Sequence, residues 1–240
     1  MSHTAFSQTL KTKFSDFAAL TYTIKLMLKK LKHSWWKILL GIVGLVILGL
    51  AFILVRPDSY LPHKRIALHA PYDLNSPPIA LIPMGEKIYH PNTPHGHPGI
   101  DFQWASPDAR ILSSSSGTIT SIGLVFDKWN KWEIDVSSWP YVVRYKEMET
   151  YNTALKVGQH ISIGEFIGHP ANPKIHNQVG AYQVHWELGS PGVIRDRFCP
   201  MTYFDAASAA SVQSVYDHTD WQYKSQYPNV CNGFYFNRTG

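Results

Sequence analysis

The run from Ile38 to Val55, ILLGIVGLVILGLAFILV, contains no charged residue. As a helix rising 1.5 Å per residue it reaches about 27 Å, close to the roughly 30 Å hydrocarbon core of a bilayer. Trp35 and Trp36 stand just before it, where amphipathic rings favour the membrane interface. A cleaved signal peptide is the competing reading, but it calls for an apolar region of about 7 to 15 residues and a small-residue cleavage site. Neither occurs before Arg56. The expectation is therefore a single transmembrane anchor over residues 35–56.

Charge orients that anchor. The whole chain carries 22 Lys and Arg against 17 Asp and Glu, a net +5. Residues 1–56 hold eight of those cations and one carboxylate, Asp16, which is +7; fourteen cations and sixteen carboxylates, −2, are left for the rest. The basicity belongs to the membrane-proximal segment, so it is no sign of nucleic-acid binding. Positive charge ahead of a span keeps that side cytoplasmic. Residues 1–34 are expected in the cytoplasm and everything after Arg56 in the periplasm or outside the cell. Phe14, Phe17, Leu20, Ile24, Met27, Leu28 and Leu31 recur at helical spacing beside Lys25, Lys29, Lys30 and Lys32. This first segment either lies along the inner leaflet or only sets topology.

Beyond the span, residues 57–78 are Pro-rich, polar and aperiodic, and read as a linker. The runs Ile79–Ile82, Ile111–Ile122, Trp132–Val136, Tyr141–Met148, His160–Ile167 and Gln183–Leu188 are short, rich in β-branched and aromatic residues, and separated by Gly, Pro, Asn and Ser. That pattern predicts an antiparallel all-β domain. One helix is expected, over Asp205–Tyr216, with Asp205 at its N-cap. Cys199 and Cys231 both fall on the oxidising side and are expected to pair, the alternative being two buried thiols.

Two short motifs carry chemistry. In His97-Pro98-Gly99-Ile100-Asp101 an imidazole and a carboxylate stand four residues apart around a glycine, and His185 sits on the alternating stretch Gln183-Val184-His185-Trp186-Glu187-Leu188. Two imidazoles and one carboxylate form a tripod that leaves a fourth tetrahedral position open, as in catalytic rather than structural zinc sites.

The order of these pieces resembles the lysostaphin-type, or LytM-type, zinc endopeptidases of peptidoglycan, from about Ile79 to Leu188. HPGIDF matches that family's H-x-G-x-D-F. Ser106-Pro107 and the strand end Ser116-Gly117-Thr118-Ile119 follow it, then a glycine hairpin, Val157-Gly158-Gln159-His160-Ile161-Ser162-Ile163-Gly164-Glu165-Phe166-Ile167-Gly168, and QVHWEL closes the order. The resemblance implies a sandwich-barrel hybrid core over residues 79–197; residues 198–240 lie beyond it, and their many aromatics are expected to pack as a satellite layer or to wall the substrate side. It implies His97, Asp101 and His185 as ligands of Zn2+, and peptide cross-links of peptidoglycan as substrate. The chain departs from the family at its two other histidines. The first histidine of the closing motif is Gln183 here, and the histidine before the glycine hairpin falls at Glu147, or at Glu149 in a shifted register. A glutamate near the metal could act as general base, as in HExxH peptidases, and Gln183 could donate a hydrogen bond. His95 and His176 are further imidazoles close to the motifs. Two other readings stand beside the enzyme: a silent module that docks on peptidoglycan or on a cell-wall enzyme, and a plain β-domain without metal.

Overall fold

The computed structural model describes residues 35–51, 66–125, 130–172, 182–191 and 196–236. The chain divides into two compact units, Met1–Ile53 and Leu54–Gly240, each described here by itself. In the first, residues 35–51 form helix α1. Seventeen residues rise only about 25 Å, and the rest of the expected span, residues 52–56, lies outside the described residues. Among the described residues no helix is long and apolar enough to cross a membrane. The expected segment at residues 1–34 also lies outside them.

The second unit is mostly antiparallel sheet. Its ten described strands are β1 (Ala80–Ile82), β2 (Ile100–Trp104), β3 (Ile111–Leu112), β4 (Gly117–Val125), β5 (Lys131–Ser138), β6 (Tyr141–Tyr151), β7 (His160–Ile161), β8 (Phe166–Pro170), β9 (Tyr182–Gly189) and β10 (Arg197–Phe198). The main order is β1-β2-β9-β6-β5-β4-β7; β10 also pairs with β9, and β8 bridges β3 and β6. The run expected as one strand over His160–Ile167 is broken into β7 and β8. Ser162–Glu165 turns between them, closed by the Glu165 amide on the Ser162 carbonyl, with Gly164 at φ 80°.

Alternation along the central strands sorts side chains by chemistry, because neighbouring residues of a strand point to opposite faces. Ile100, Phe102 and Trp104 of β2, Val143 and Tyr145 of β6, and Val184, Trp186 and Leu188 of β9 enter the apolar core. Asp101 and Gln103, Arg144, and Gln183, His185 and Glu187 occupy the intervening positions and are buried as well. Buried polar groups need partners, so this second face is where a network of ions and hydrogen bonds must form.

Residues 66–72, inside the stretch read as linker, are part of this unit. Leu68, Ala70 and Tyr72 are buried, and Leu68 bridges in parallel to Phe204. The C-terminal residues pack on the same core. Helix α2 (Ala206–His218) starts where the Asp205 carboxylate accepts the Ser208 amide at 2.7 Å. It buries Ser208, Val212, Val215 and Tyr216 along one stripe. Apolar side chains of this size stabilise by about 1.5–3 kcal/mol each when fully buried. Cys199 and Cys231 form a disulfide across 32 positions. Next to Cys231, the Asn232 amide donates to the Met84 carbonyl and the Met84 amide donates to the Val230 carbonyl, which fastens this segment beside the loop that leads to His97.

Candidate metal centre

The site is assembled on three neighbouring strands. Asp101 lies on β2 directly opposite His185 on β9, and His185 is opposite Lys146 on β6 on its other side. His97 comes from the loop that enters β2. That loop is held by the Gly85 amide on the His97 carbonyl and the His97 amide on the Glu86 carbonyl, at 2.9 and 2.7 Å. Gly99 lets loop and strand approach: a Cβ there would stand 2.4 Å from the Trp186 carbonyl oxygen and 2.9 Å from His185 Nε2. The glycine of the motif is thus a steric requirement of the ligand strand.

His97 Nε2, Asp101 Oδ1 and His185 Nδ1 close into a triangle with edges of 2.9, 3.1 and 2.8 Å. Among the described residues this is the group whose ligand atoms could hold a metal ion. All three side chains are buried. Zinc with bonds of about 2.0–2.1 Å keeps tetrahedral ligands about 3.3 Å apart. An outward shift of a few tenths of an ångström would seat it, and two nitrogens with one carboxylate oxygen suit it. The residues present fit the metal.

Each imidazole has its second nitrogen in contact with an acceptor. His97 Nδ1 lies 3.2 Å from the Pro83 carbonyl, and His185 Nε2 lies 2.9 Å from Glu187 Oε1. Burial opposes charge on Asp101, but the neighbouring His97 and His185 outweigh it and hold the carboxyl far below its usual range. Burial likewise opposes charge on His185, yet Asp101 and Glu187, one at each ring nitrogen, push it up to about 10. Glu187 is held well below the ordinary glutamate range against its own burial, chiefly by His185, with Lys146 and Arg197 adding to the effect.

The remaining residues singled out in the sequence separate clearly. Gln183, two positions before His185 on the same face of β9, donates from Nε2 to Glu147 Oε2 at 2.7 Å and accepts from Gln103 Nε2 at 3.4 Å. Strand parity alone would send Glu147 to the face opposite Lys146. A bulge changes that: between Ile134 and Trp132 on β5 the partner strand advances from Tyr145 to Met148, three residues against two, and Glu147 takes φ 63°. The added residue turns its carboxylate toward Gln183. Glu149 is exposed and pairs with Lys131, on the far side of the bulge. The shifted register therefore brings no carboxylate to the site. His95 stacks on Phe234 with centroids 3.8 Å apart, and His176 lies outside the described residues. The sequence did not single out Glu86 or His90. Buried Glu86 accepts from His90 Nδ1 at 2.9 Å, and the His90 ring stacks on His97 at 4.3 Å. Their spacing of four residues, i to i+4, just ahead of HPGID was the available signal.

No family model matches the chain. No curated protein matches it. Among solved structures it is similar to Helicobacter pylori Csd3, at 17% identity and TM-score 0.43 over 59% of this chain and 35% of that one. It is also similar to the antimicrobial peptidase lysostaphin from Staphylococcus simulans, at 19% identity and TM-score 0.45 over 60% and 56%. A zinc-containing peptidase from Vibrio cholerae is similar at 21% identity and TM-score 0.38 over 55% and 39%. The chain thus spans between about a third and just over half of the length of these structures.

Proposed function

We propose that this protein is a membrane-anchored, extracytoplasmic zinc metallopeptidase of LytM type that acts on the peptide cross-links of peptidoglycan. The observation that carries the reading is the convergence of His97 Nε2, Asp101 Oδ1 and His185 Nδ1 within 3.1 Å of one another. These residues lie 88 positions apart at the extremes and are brought together only by the β2–β9 pairing. The substrate class rests on the motif order from HPGIDF to QVHWEL. The anchor and its orientation rest on the apolar run and the +7 segment before Arg56.

Zinc held by the three ligands supplies Lewis acidity, polarising a scissile carbonyl and making a water acidic enough to attack near neutral pH. Around it the chain supplies proton transfer and charge stabilisation. Glu147 is the base, taking the proton on Oε1 while Oε2 stays bound to Gln183. Gln183 is fixed by Glu147 on one side and Gln103 on the other, and its second amide hydrogen is available to a developing oxyanion. A carboxylate and an amide do the work of two imidazoles in this arrangement.

The same contact favours a second reading. A carboxylate engaged by Gln183 suits a silent module that docks on peptidoglycan or on a cell-wall enzyme. The test is digestion of purified peptidoglycan by the zinc-loaded chain, with co-sedimentation in parallel. Soluble peptide fragments that disappear on chelation support the peptidase. Sedimentation with the wall and no fragments, at any zinc level, supports the binding module.

A further inference from the structure

Glu187 is 1% exposed and lies two residues after His185 on β9. Its Oε1 is 2.9 Å from His185 Nε2 and 2.9 Å from Lys146 Nζ, and its Oε2 pairs with the Arg197 guanidinium. Lys146 belongs to β6 and is the cross-strand partner of His185; Arg197 belongs to β10, which pairs with the end of β9. Cations from the neighbouring strands on both sides engage the two oxygens of Glu187 and limit its rotation.

That anchoring has a consequence for the ligand. A neutral imidazole carries its single proton on one nitrogen and offers a lone pair on the other. With Nε2–H donated to Glu187, the lone pair of His185 lies on Nδ1, the atom that forms the triangle with Asp101 and His97. The opposite tautomer would point a proton into the centre. His97 is set the other way round: its Nδ1 faces the Pro83 carbonyl and its Nε2 enters the triangle. A backbone carbonyl needs no further support, whereas a side-chain carboxylate does.

We propose that Glu187, clamped between Lys146 and Arg197, is a positioning residue of the metal centre that selects the His185 tautomer and holds the ring at its binding angle. The proposal rests on the zinc reading of His97, Asp101 and His185. Glu187→Gln keeps the size but puts an amide nitrogen in place of one oxygen: at the Oε2 position its hydrogens oppose Arg197, and at the Oε1 position they oppose Lys146 and the His185 ring, so one side of the clamp is lost either way. In the full chain this variant is expected to bind zinc about 10- to 100-fold more weakly in competition with a chelator, the usual effect of losing such an outer contact. The absorption bands of the cobalt-substituted form are expected to shift as well. A purely structural glutamate would lower the denaturation midpoint and leave both quantities unchanged in the folded fraction. Nitrogen-15 imidazole spectra of the unsubstituted zinc-loaded chain give an answer that does not need the variant to fold: the His185 proton is expected on Nε2 and the metal on Nδ1. Zinc affinity within twofold of the parent, or a His185 ring bound through Nε2, overturns the proposal while the zinc reading stands. A parent chain that takes up no zinc overturns both.

Discussion

Replacing Gly99 with alanine probes whether the glycine of HPGID is what lets the ligand strand close. The new Cβ would stand 2.4 Å from the Trp186 carbonyl oxygen, 2.9 Å from His185 Nε2 and 3.0 Å from Glu187 Cγ. Ordinary carbon–oxygen contacts begin near 3.3 Å, so the first is short by about 0.9 Å. Trp186 cannot yield by changing rotamer, because the obstructing atom is backbone, its residue pairs with Ile100, and its ring is buried against Phe204. Relief must come from separating β2 and β9 beside the ligands. Overpacking of this kind costs about 1–3 kcal/mol, or roughly 2–12 °C in melting temperature for a domain of this size. Shared between the two strands, the movement is about 0.5 Å each, the limit of tolerance for a preorganised site. Zinc affinity is therefore expected to fall at least about 10-fold. Urea unfolding and chelator competition measure the two effects separately. Gly123→Ala on β4 is the control, since a Cβ there meets nothing within 4 Å. A Gly99→Ala chain with unchanged midpoint and unchanged zinc affinity would refute the steric argument.

Four other outcomes follow from the same structure. Replacing Cys199 and Cys231 together with serine removes a link across 32 positions and should cost about 3.7 kcal/mol in the chain-entropy treatment, read as a lower urea midpoint. Glu147→Gln should lower wall digestion by about 100-fold with zinc still bound. Glu147→Gly should lose activity equally, while relief of φ 63° offsets part of the cost, about 1–3 kcal/mol, of leaving buried Gln183 without its acceptor. For pH, burial opposes charge on His185, but Asp101 and Glu187 raise its proton affinity to about 10. Zinc must displace that proton. Uptake should thus release a proton at pH values below about 10, and affinity should rise with pH up to that value. Calorimetry in buffers of different ionisation enthalpy counts the proton.

The alternation in QVHWEL showed in the sequence which residues of β9 face the core and which face the polar network, and Asp205 marked the start of α2. The tripod of His97, Asp101 and His185 was legible as residue types and spacing, while its convergence depends on β2–β9 pairing. Strand β2 itself was not among the expected strands, because its alternate positions Asp101 and Gln103 look like surface residues when in fact they are buried. Residues 66–72 gave no periodic signal, since they join the unit through single contacts such as Leu68 with Phe204 rather than through a strand. The choice between Glu147 and Glu149 turned on a one-residue bulge, which leaves no mark in composition. Lys146, Glu187 and Arg197 showed no relation to one another in the sequence, because it takes three strands to bring two half-buried cations onto one buried carboxylate.

The central claim is that one zinc ion is held by His97, Asp101 and His185. Elemental analysis of the purified full chain, beside His97→Ala, Asp101→Ala and His185→Ala variants shown to be folded by circular dichroism, tests it most directly. The account predicts one zinc per parent chain and none retained by any of the three variants after dialysis. A parent without zinc, or a variant that keeps a full equivalent, would contradict it.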